Sequence, residues 1–260
     1  MKIRFPICAR IRASARLVDP TASWRRTDVP IRYGLVEHTG EGLVLIDTGY
    51  SEDLYRPRSL GLSLYRTLLR PQLMPEGDAV AQLAAIGAGP EDVRHIILTH
   101  LHADHICGLD RFRNATLHAS AATLRLWARR PSWRDAGAAL FRGLLPAQST
   151  FACRTLEHAP ETSLPWGGSG HDIFGDGSMI SVDLPGHMEG HVGIYFAGEN
   201  CLYAVDTAWT MAAILQEPRL PFIARLITAD RPAARRSLDI TRAAHAAGVT
   251  IRLCHDPEAA

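Results

Sequence analysis

Lysine is almost absent from this 260-residue chain: Lys2 is the single lysine among 28 basic residues, and arginine supplies the rest. Acidic residues number 27, so the formal net charge is only +1. A chain with so small a charge excess lacks the strongly basic balance typical of proteins that bind polyanions. The composition therefore gives no indication of a nucleic-acid partner.

Long apolar runs are also missing. Arginines interrupt the opening MKIRFPICARIRASARL, and no stretch approaches the ~20 apolar residues that span a bilayer. The five cysteines are odd in number and widely spaced, which argues against a disulfide framework. We therefore expect a soluble, cytoplasmic protein without a membrane segment. A hydrophobic content of 47% is enough for a large core, and a single domain over 1–260 is expected.

Short apolar runs bounded by turn residues predict the strands. Residues 31–37 and 42–47 are joined by a glycine-containing turn and suit a hairpin. A helix is predicted over 78–87, with Asp78 as its N-cap and Gly87 as its stop. These assignments predict strands and helices that alternate along the first half of the chain.

The second half repeats this pattern, with a helix predicted over 232–247. The further predicted strands cover residues 93–98, 179–184, 192–196, 201–205 and 249–254. Two stretches interrupt the pattern and are interpreted as insertions, one over about 51–77 with short helices and one over about 119–170 that starts helical.

The segment THLHADHICGLD, residues 99–110, concentrates potential metal ligands at His100, His102, Asp104 and His105. Imidazole and carboxylate are good ligands for borderline divalent metals. In an extended segment His100 and His102 point to the same side, and a bend allows Asp104 and His105 to face a second point. The pattern predicts a dinuclear metal site, and a solvated polar loop is the alternative.

Three more candidate ligands follow predicted strands: His187, Asp206 and His255. Taken alone, a Pro-Gly-His or Val-Asp-Thr segment is more often a simple turn. With the first cluster, however, the three resemble the ligand set of the metallo-β-lactamase superfamily. The resemblance implies one metal held by His100, His102 and His187, a second held by Asp104, His105 and His255, Asp206 as a bridge, and Asp47 orienting a ligand histidine.

The same resemblance implies a mixed α/β (α+β) fold, a four-layer αββα sandwich with helical insertions. It also implies two divalent metal ions, zinc first, with iron, manganese or cobalt as alternatives. The implied reaction is hydrolysis by a metal-bound hydroxide. In that reaction Asp104 and Asp206 are the catalytic residues that handle protons near the leaving group.

Within the superfamily the chain is most similar to the N-acyl homoserine lactone lactonase group, over residues 29–38, 43–49, 89–93 and 254–256. The implied substrate is a lactone or related carboxylic ester, and a homodimer is one implied assembly. Trp209, a further candidate substrate contact, stands where those lactonases often have a tyrosine that assists the lactone carbonyl. An indole donates a hydrogen bond but is not an acid. Trp127 and Phe141 are candidate contacts to an acyl chain, with ordinary packing as the alternative.

Other activities stay open on the sequence alone. A phosphodiesterase or thioesterase could use the same ligands. An oxygenase of the sulfur-dioxygenase type resembles the scaffold but works with one iron, and the second-site ligands His105 and His255 argue against it. A metal-binding regulatory protein without catalysis is a further alternative, which the intact ligand set disfavours.

Overall fold

The computed structural model describes residues 1–14, 25–56, 59–133, 135–215 and 228–257. Fifteen strands are found in this part of the chain: β1 (Lys2–Arg4), β2 (Ile7–Ser14), β3 (Arg26–Arg32), β4 (Gly34–His38), β5 (Gly42–Ile46), β6 (Gln72–Leu73), β7 (Val93–Leu98), β8 (Thr116–Ala119), β9 (Ala152–Thr155), β10 (Glu161–Ser163), β11 (Ser169–Asp172), β12 (Met179–Asp183), β13 (Val192–Phe196), β14 (Cys201–Val205) and β15 (Thr250–Leu253).

The described helices are α1 (Leu60–Leu69), α2 (Ala79–Ala84), α3 (Ala103–Ile106), α4 (Ala121–Ala128), α5 (Met211–Leu215) and α6 (Arg231–Ala246), with several 3-10 turns between them. The mixed α/β content expected from the sequence is thereby confirmed. Among the residues that the structure describes, every helix is too short or too polar to cross a membrane.

The chain divides into two compact units. Unit 1 comprises residues 1–12, 28–119 and 125–154, and unit 2 comprises 13–27, 120–124 and 155–260. The predicted insertion over 119–170 is therefore shared between the two units. A single domain over 1–260 stays a prediction.

Unit 1 is built on a six-stranded sheet in the order β1-β4-β5-β7-β8-β9. The predicted hairpin is present as the antiparallel pair β4–β5, and β5, β7 and β8 then run parallel. Strand β7 has the bounds that its apolar run predicts, and its last three residues are buried. Buried parallel strands of this kind deliver the following loop from a rigid support.

The prediction of one continuous strand over 31–37 is wrong, because the strand is interrupted at Tyr33. Strand β3 ends at Arg32 and belongs to a small three-stranded sheet, β3-β2-β6, whereas β4 starts at Gly34 in the six-stranded sheet. The chain crosses from one sheet to the other at this residue, which is fully buried. A continuous apolar run cannot reveal such a crossing. The sequence also did not predict β1, β2, β6, β8, β9, β10 or β11.

Unit 2 is built on the second six-stranded sheet, in the order β10-β11-β12-β13-β14-β15. Its strands pair antiparallel except β14 and β15, which are parallel. Helix α6 contributes Leu238 and Ala244 to a core that also includes Leu202, Ile251 and Leu253 of the sheet. The helix begins after Asp230, whose side chain accepts a hydrogen bond from the Ala233 N–H, as an N-cap should.

The insertion over 51–77 is partly helical, as predicted, with α1 and two 3-10 turns, but it also contains the short strand β6. Helix α2 starts after Asp78, whose side chain accepts from the Val80 N–H, and Gly87 follows at φ 76°. Both end signals predicted for this helix are therefore present. The regular helix is shorter than predicted because its last residues form turns.

A titratable cluster lies on β7 and β8 of unit 1. His95 Nδ1 is 3.1 Å from His118 Nε2, and His95 Nε2 is 3.2 Å from a carboxylate oxygen of Glu41. Burial lowers the pKa of His118 to about 4, and His95 and Arg154 add to this effect. The fold therefore keeps His118 neutral at pH values where the unfolded chain would protonate it.

This cluster makes the stability of the protein depend on acid pH. The unfolded chain binds a proton at His118 near pH 6.5, whereas the folded chain binds it only near pH 4. The contribution of neutral His118 to the free energy of unfolding is therefore fully present above pH 6.5 and decreases as the pH falls towards 4. We expect the free energy of unfolding to drop by about 2 kcal/mol more between pH 7 and pH 5 in the wild type than in His118→Gln. Urea denaturation at both pH values measures this, and equal drops in the two proteins would contradict it.

Candidate metal-binding site

Five of the eight predicted site residues, which are seven metal ligands and Asp47, lie just beyond strand ends. The residues concerned are Asp47 after β5, His100 after β7, His187 after β12, Asp206 after β14 and His255 after β15. His102 immediately precedes α3, and Asp104 and His105 lie within that helix. All eight side chains are buried, which is unusual for charged and titratable groups unless they are paired or bind a metal.

The Asp47 carboxylate orients two of the predicted ligand histidines of unit 1, His100 and His105. One oxygen accepts the Thr99 N–H at 2.8 Å, and the other accepts the Thr99 hydroxyl at 2.7 Å and His105 Nδ1 at 2.8 Å. Because the Thr99 hydroxyl donates its hydrogen to Asp47, the Thr99 oxygen can only accept from His100 Nδ1, which lies 3.0 Å away. In both His100 and His105, Nε2 therefore carries the lone pair that a metal requires.

Burial raises the pKa of the Asp47 carboxyl above its usual value, and the hydrogen bonds from His105 and Thr99 oppose that rise. Asp47 itself adopts φ 62°, a left-handed conformation that is uncommon outside glycine. Its backbone N–H donates to the Ile97 carbonyl at 2.9 Å, which ties the turn to β7. The sequence predicted Asp47 as a residue that orients a ligand histidine, and the structure brings it to His105.

The ligand atoms of unit 1 form two close pairs. His100 and His102 are one pair, with Nε2 and Nδ1 3.0 Å apart. Asp104 and His105 are the second, with a carboxylate oxygen and Nε2 3.6 Å apart. Helix α3 begins between the pairs, and it forms the bend expected from the sequence.

In unit 2 a single oxygen of Asp206 lies close to two histidines, at 3.2 Å from His187 Nε2 and 3.4 Å from His255 Nε2. Burial alone would lower the pKa of His255, but Cys254 and Asp206 raise it, and the net effect is a pKa well above the usual value. The Asp206 carboxylate therefore favours positive charge at this point, as a metal site requires.

The spacings within each unit fit metal coordination. Ligand atoms about 2.0–2.1 Å from a tetrahedral ion lie about 3.3 Å from one another. The four separations given above, two in each unit, run from 3.0 to 3.6 Å. Imidazole nitrogens and carboxylate oxygens suit zinc, and they also suit iron, manganese and cobalt.

Two residues near these ligands are not among the site residues predicted from the sequence. Cys254 offers a thiol within 4.8 Å of the ligand atom of His255, and the sequence gave no signal for it beyond adjacency. His191 contacts the backbone of Asp206 through Nε2 at 3.3 Å. Its position four residues after His187 was the available signal.

The three predicted substrate contacts have different surroundings. The Trp209 ring lies edge-on to His255, with centroids 5.4 Å apart, so it adjoins the ligands of unit 2. Trp127 donates its indole N–H to the Pro146 carbonyl at 3.2 Å, and Phe141 packs on Tyr65 with centroids 4.9 Å apart. Trp127 and Phe141 are buried in packing of unit 1, and their contact with a substrate stays a prediction.

Gly186 sets the approach of the His187 loop to helix α6. It adopts φ 118°, and a Cβ at this position would overlap the backbone of Ala234. The carbonyl groups of Gly186 and His187 accept the N–H groups of Asp230 and Ala229 at 3.0 and 3.2 Å. The loop that carries His187 is thereby fixed against the start of the helix.

The chain is similar to known metal-dependent hydrolases along most of its length. Residues 26–246 match the family model of the metallo-β-lactamase superfamily. A Mycobacterium tuberculosis protein described as a probable metallo-hydrolase is 33% identical over 239 residues, which cover 86% of this chain and 74% of the relative. An N-acyl homoserine lactonase of Rhizobium radiobacter is 26% identical over 236 residues, covering 89% and 84%.

Solved structures resemble the fold. An N-acyl homoserine lactone hydrolase with N-hexanoyl-L-homoserine at its metal centre superposes with a TM-score of 0.72 at 20% identity, covering 99% of this chain and 94% of the other. A dizinc quorum-quenching lactonase gives 0.67 at 16% identity, covering 99% and 87%. These matches confirm the metallo-β-lactamase fold predicted from the sequence.

Replacement of Gly186 tests how strictly the His187 loop is held. Because Gly186→Ala combines a positive φ with a clash against Ala234, we expect the free energy of unfolding to fall by about 3 kcal/mol. The matched control is Gly198→Ala, where the added methyl meets no atom within 4 Å, and we expect a change within about 0.5 kcal/mol. Equal effects of the two substitutions, measured by denaturant unfolding, would show that the loop adapts.

Proposed function

The chain belongs to the metallo-β-lactamase superfamily and is a metal-dependent hydrolase, and on this premise we propose that it opens the ring of a lactone of the N-acyl homoserine lactone type. The observation that carries the substrate class is the similarity to N-acyl homoserine lactonases over 89% of the chain. The buried imidazole and carboxylate pairs of the two units supply the chemistry.

We propose that the pairs of the two units combine into a dinuclear site. His100, His102 and His187 would hold one divalent ion, Asp104, His105 and His255 the other, and Asp206 would bridge them. The Asp206 oxygen that faces both His187 and His255 supports the bridge. Zinc is the proposed metal, because a lactonase of the same fold is a dizinc protein. The family match runs through both units, from 26 to 246, and this supports one domain over 1–260.

When bound, the two ions would activate a water molecule and polarise the lactone carbonyl. The side chains of this protein would transfer the proton and orient the ligands. Asp104 and Asp206 take up the proton of the attacking water and return it to the ring oxygen when the acyl carbon–oxygen bond breaks. The product is the open-chain hydroxy acid, so atoms and charge balance. Asp47 keeps His100 and His105 in the tautomer that presents Nε2.

Trp209 distinguishes this site from the lactonases with tyrosine at this position. Its ring contacts His255, so a substituent there would lie beside the proposed metal ligands. An indole N–H can donate a hydrogen bond to a substrate oxygen but cannot give up its proton in the reaction. Proton transfer in the proposed enzyme therefore depends on its carboxylates and metal ions more than it does in the lactonases that have this tyrosine. Trp127, Phe141 and a homodimer stay proposals for substrate contact and assembly.

A substrate panel with metal analysis tests the proposal. We expect about two divalent ions per chain and turnover of N-acyl homoserine lactones in preference to thioesters and bis-p-nitrophenyl phosphate. Asp206→Asn should lower lactone turnover by about 100-fold or more, because it weakens the bridge. The matched control is Asp239→Asn on the exposed side of α6, which should leave turnover unchanged.

Other results identify the competing activities. Preference for the phosphodiester or the thioester would replace the lactone by that substrate class. One iron per chain with consumption of oxygen would indicate the dioxygenase. Unchanged lactone turnover in Asp206→Asn would contradict the dinuclear mechanism.

Substitutions of Trp209 test whether a hydroxyl at this position assists lactone opening. Trp209→Tyr places a phenol hydroxyl near His255, and we expect kcat on an N-acyl homoserine lactone to rise by about tenfold through proton donation. Trp209→Phe keeps the aromatic ring but has no hydroxyl, and it should show no such rise. If both variants change kcat equally, the hydroxyl has no role and the effect is one of packing.

A further inference from the structure

A valine in an unfavourable backbone conformation precedes Asp206. Val205 has φ 52°, in the left-handed region, where a β-branched residue is a genuine outlier. The pairing of β14 with β15 shifts register between Tyr203 and Val205, so the strand is irregular where it ends. Such a conformation persists only where the surroundings impose it.

Four hydrogen bonds surround this turn. The Cys254 N–H donates to the Val205 carbonyl at 3.0 Å. Thr207 donates both its N–H, at 3.1 Å, and its hydroxyl, at 2.9 Å, to the carbonyl of Ala204. The Asp206 N–H donates to Nε2 of His191 at 3.3 Å. Of these four bonds, only the bond from the Asp206 N–H to His191 has a side-chain acceptor, and this acceptor is an imidazole nitrogen.

The tautomer of His191 follows from its two partners. Nδ1 lies 2.7 Å from the Leu184 carbonyl, which can only accept, so Nδ1 carries the hydrogen. Nε2 therefore has the lone pair that accepts the Asp206 N–H. His191 is 1% exposed, and Leu184 directly follows β12, just before the His187 loop. His191 thus connects the loop that carries His187 to the turn that carries Asp206.

We propose that His191 is a positioning residue that holds the strained turn at Val205 and thereby keeps the Asp206 carboxylate within reach of His187 and His255. The proposal rests on the proposed function only for its catalytic consequence. In the metal-free protein it concerns one backbone hydrogen bond and one backbone conformation. A buried histidine that merely fills space would not depend on which ring nitrogen meets which partner.

Two substitutions separate the two bonds of the imidazole. In His191→Asn the side-chain amide occupies the Nδ1 position and can still donate to Leu184, but it is too short to accept from the Asp206 N–H. In His191→Gln the amide oxygen reaches the Nε2 position and can accept from Asp206, while the bond to Leu184 is lost. His245→Asn and His245→Gln, at an exposed position on α6, are the matched controls.

The first readout uses metal-free protein. We expect amide hydrogen exchange at Asp206 to be at least about tenfold faster in His191→Asn than in the wild type and nearly unchanged in His191→Gln. The second readout is the zinc dissociation constant by chelator competition. It should rise about 10–100-fold in His191→Asn and by less than about threefold in His191→Gln. Equal behaviour of the two variants in both readouts would overturn the proposal.

Val205→Gly tests the strain itself. Glycine adopts a positive φ freely, so the turn would need His191 less. In a double-mutant cycle, the increase in zinc dissociation constant caused by His191→Asn should be several-fold smaller in the Val205→Gly background. Additive effects would show that His191 does not act through the conformation of Val205.

The measurements remain decisive if a variant does not fold or if the proposed function fails. The 15N spectrum of His191 in the wild type must show a protonated Nδ1 and an unprotonated Nε2, and the opposite tautomer would overturn the proposal. If the wild type binds zinc but hydrolyses none of the lactones, the proposed substrate is wrong while the role of His191 stands. If the exchange rate at Asp206 is insensitive to His191→Asn, the role of His191 is wrong whatever the substrate.

Discussion

The buried carboxylate of Asp47 is the interaction on which the candidate site of unit 1 depends. It accepts three hydrogen bonds, two from Thr99 and one from His105, and through the Thr99 hydroxyl it also sets the orientation of His100. One residue of each ligand pair is thereby oriented by the same charge. A carboxylate so deeply buried is costly unless its oxygens are satisfied, and the three donors meet that requirement.

The two units present a carboxylate in a comparable way. Asp47 follows β5 with φ 62°, and Asp206 follows Val205, whose φ is 52°, at the end of β14. In both places a non-glycine residue is held in the left-handed region where a buried strand stops. Backbone strain of this kind is tolerated when surrounding hydrogen bonds fix the conformation, and it occurs preferentially at functional sites. Both carboxylates therefore stand directly after buried strands, at turns with a positive φ.

Much of the fold and of the candidate site could be predicted from the sequence. The strands over 93–98, 192–196 and 201–205 have the predicted bounds, since short apolar runs ended by turn residues carry a strong local signal. The strand over 31–37 was wrong because its second part joins a different sheet, which only long-range pairing decides. Cys254 and His191 were not assigned, since adjacency and spacing do not show which backbone group a side chain contacts.

The types and order of the potential ligands and their place after strands could be predicted from the sequence, because ligand chemistry and apolar periodicity are local properties. It also identified the superfamily that the family match confirms. Three features became visible only in the folded chain: which nitrogen of His105 faces Asp47, which bonds His191 makes, and the hydrogen bond from the Trp127 indole to the Pro146 carbonyl. Those features depend on backbone conformation and on contacts between residues far apart in the chain. They cannot be inferred from the local pattern of residue types.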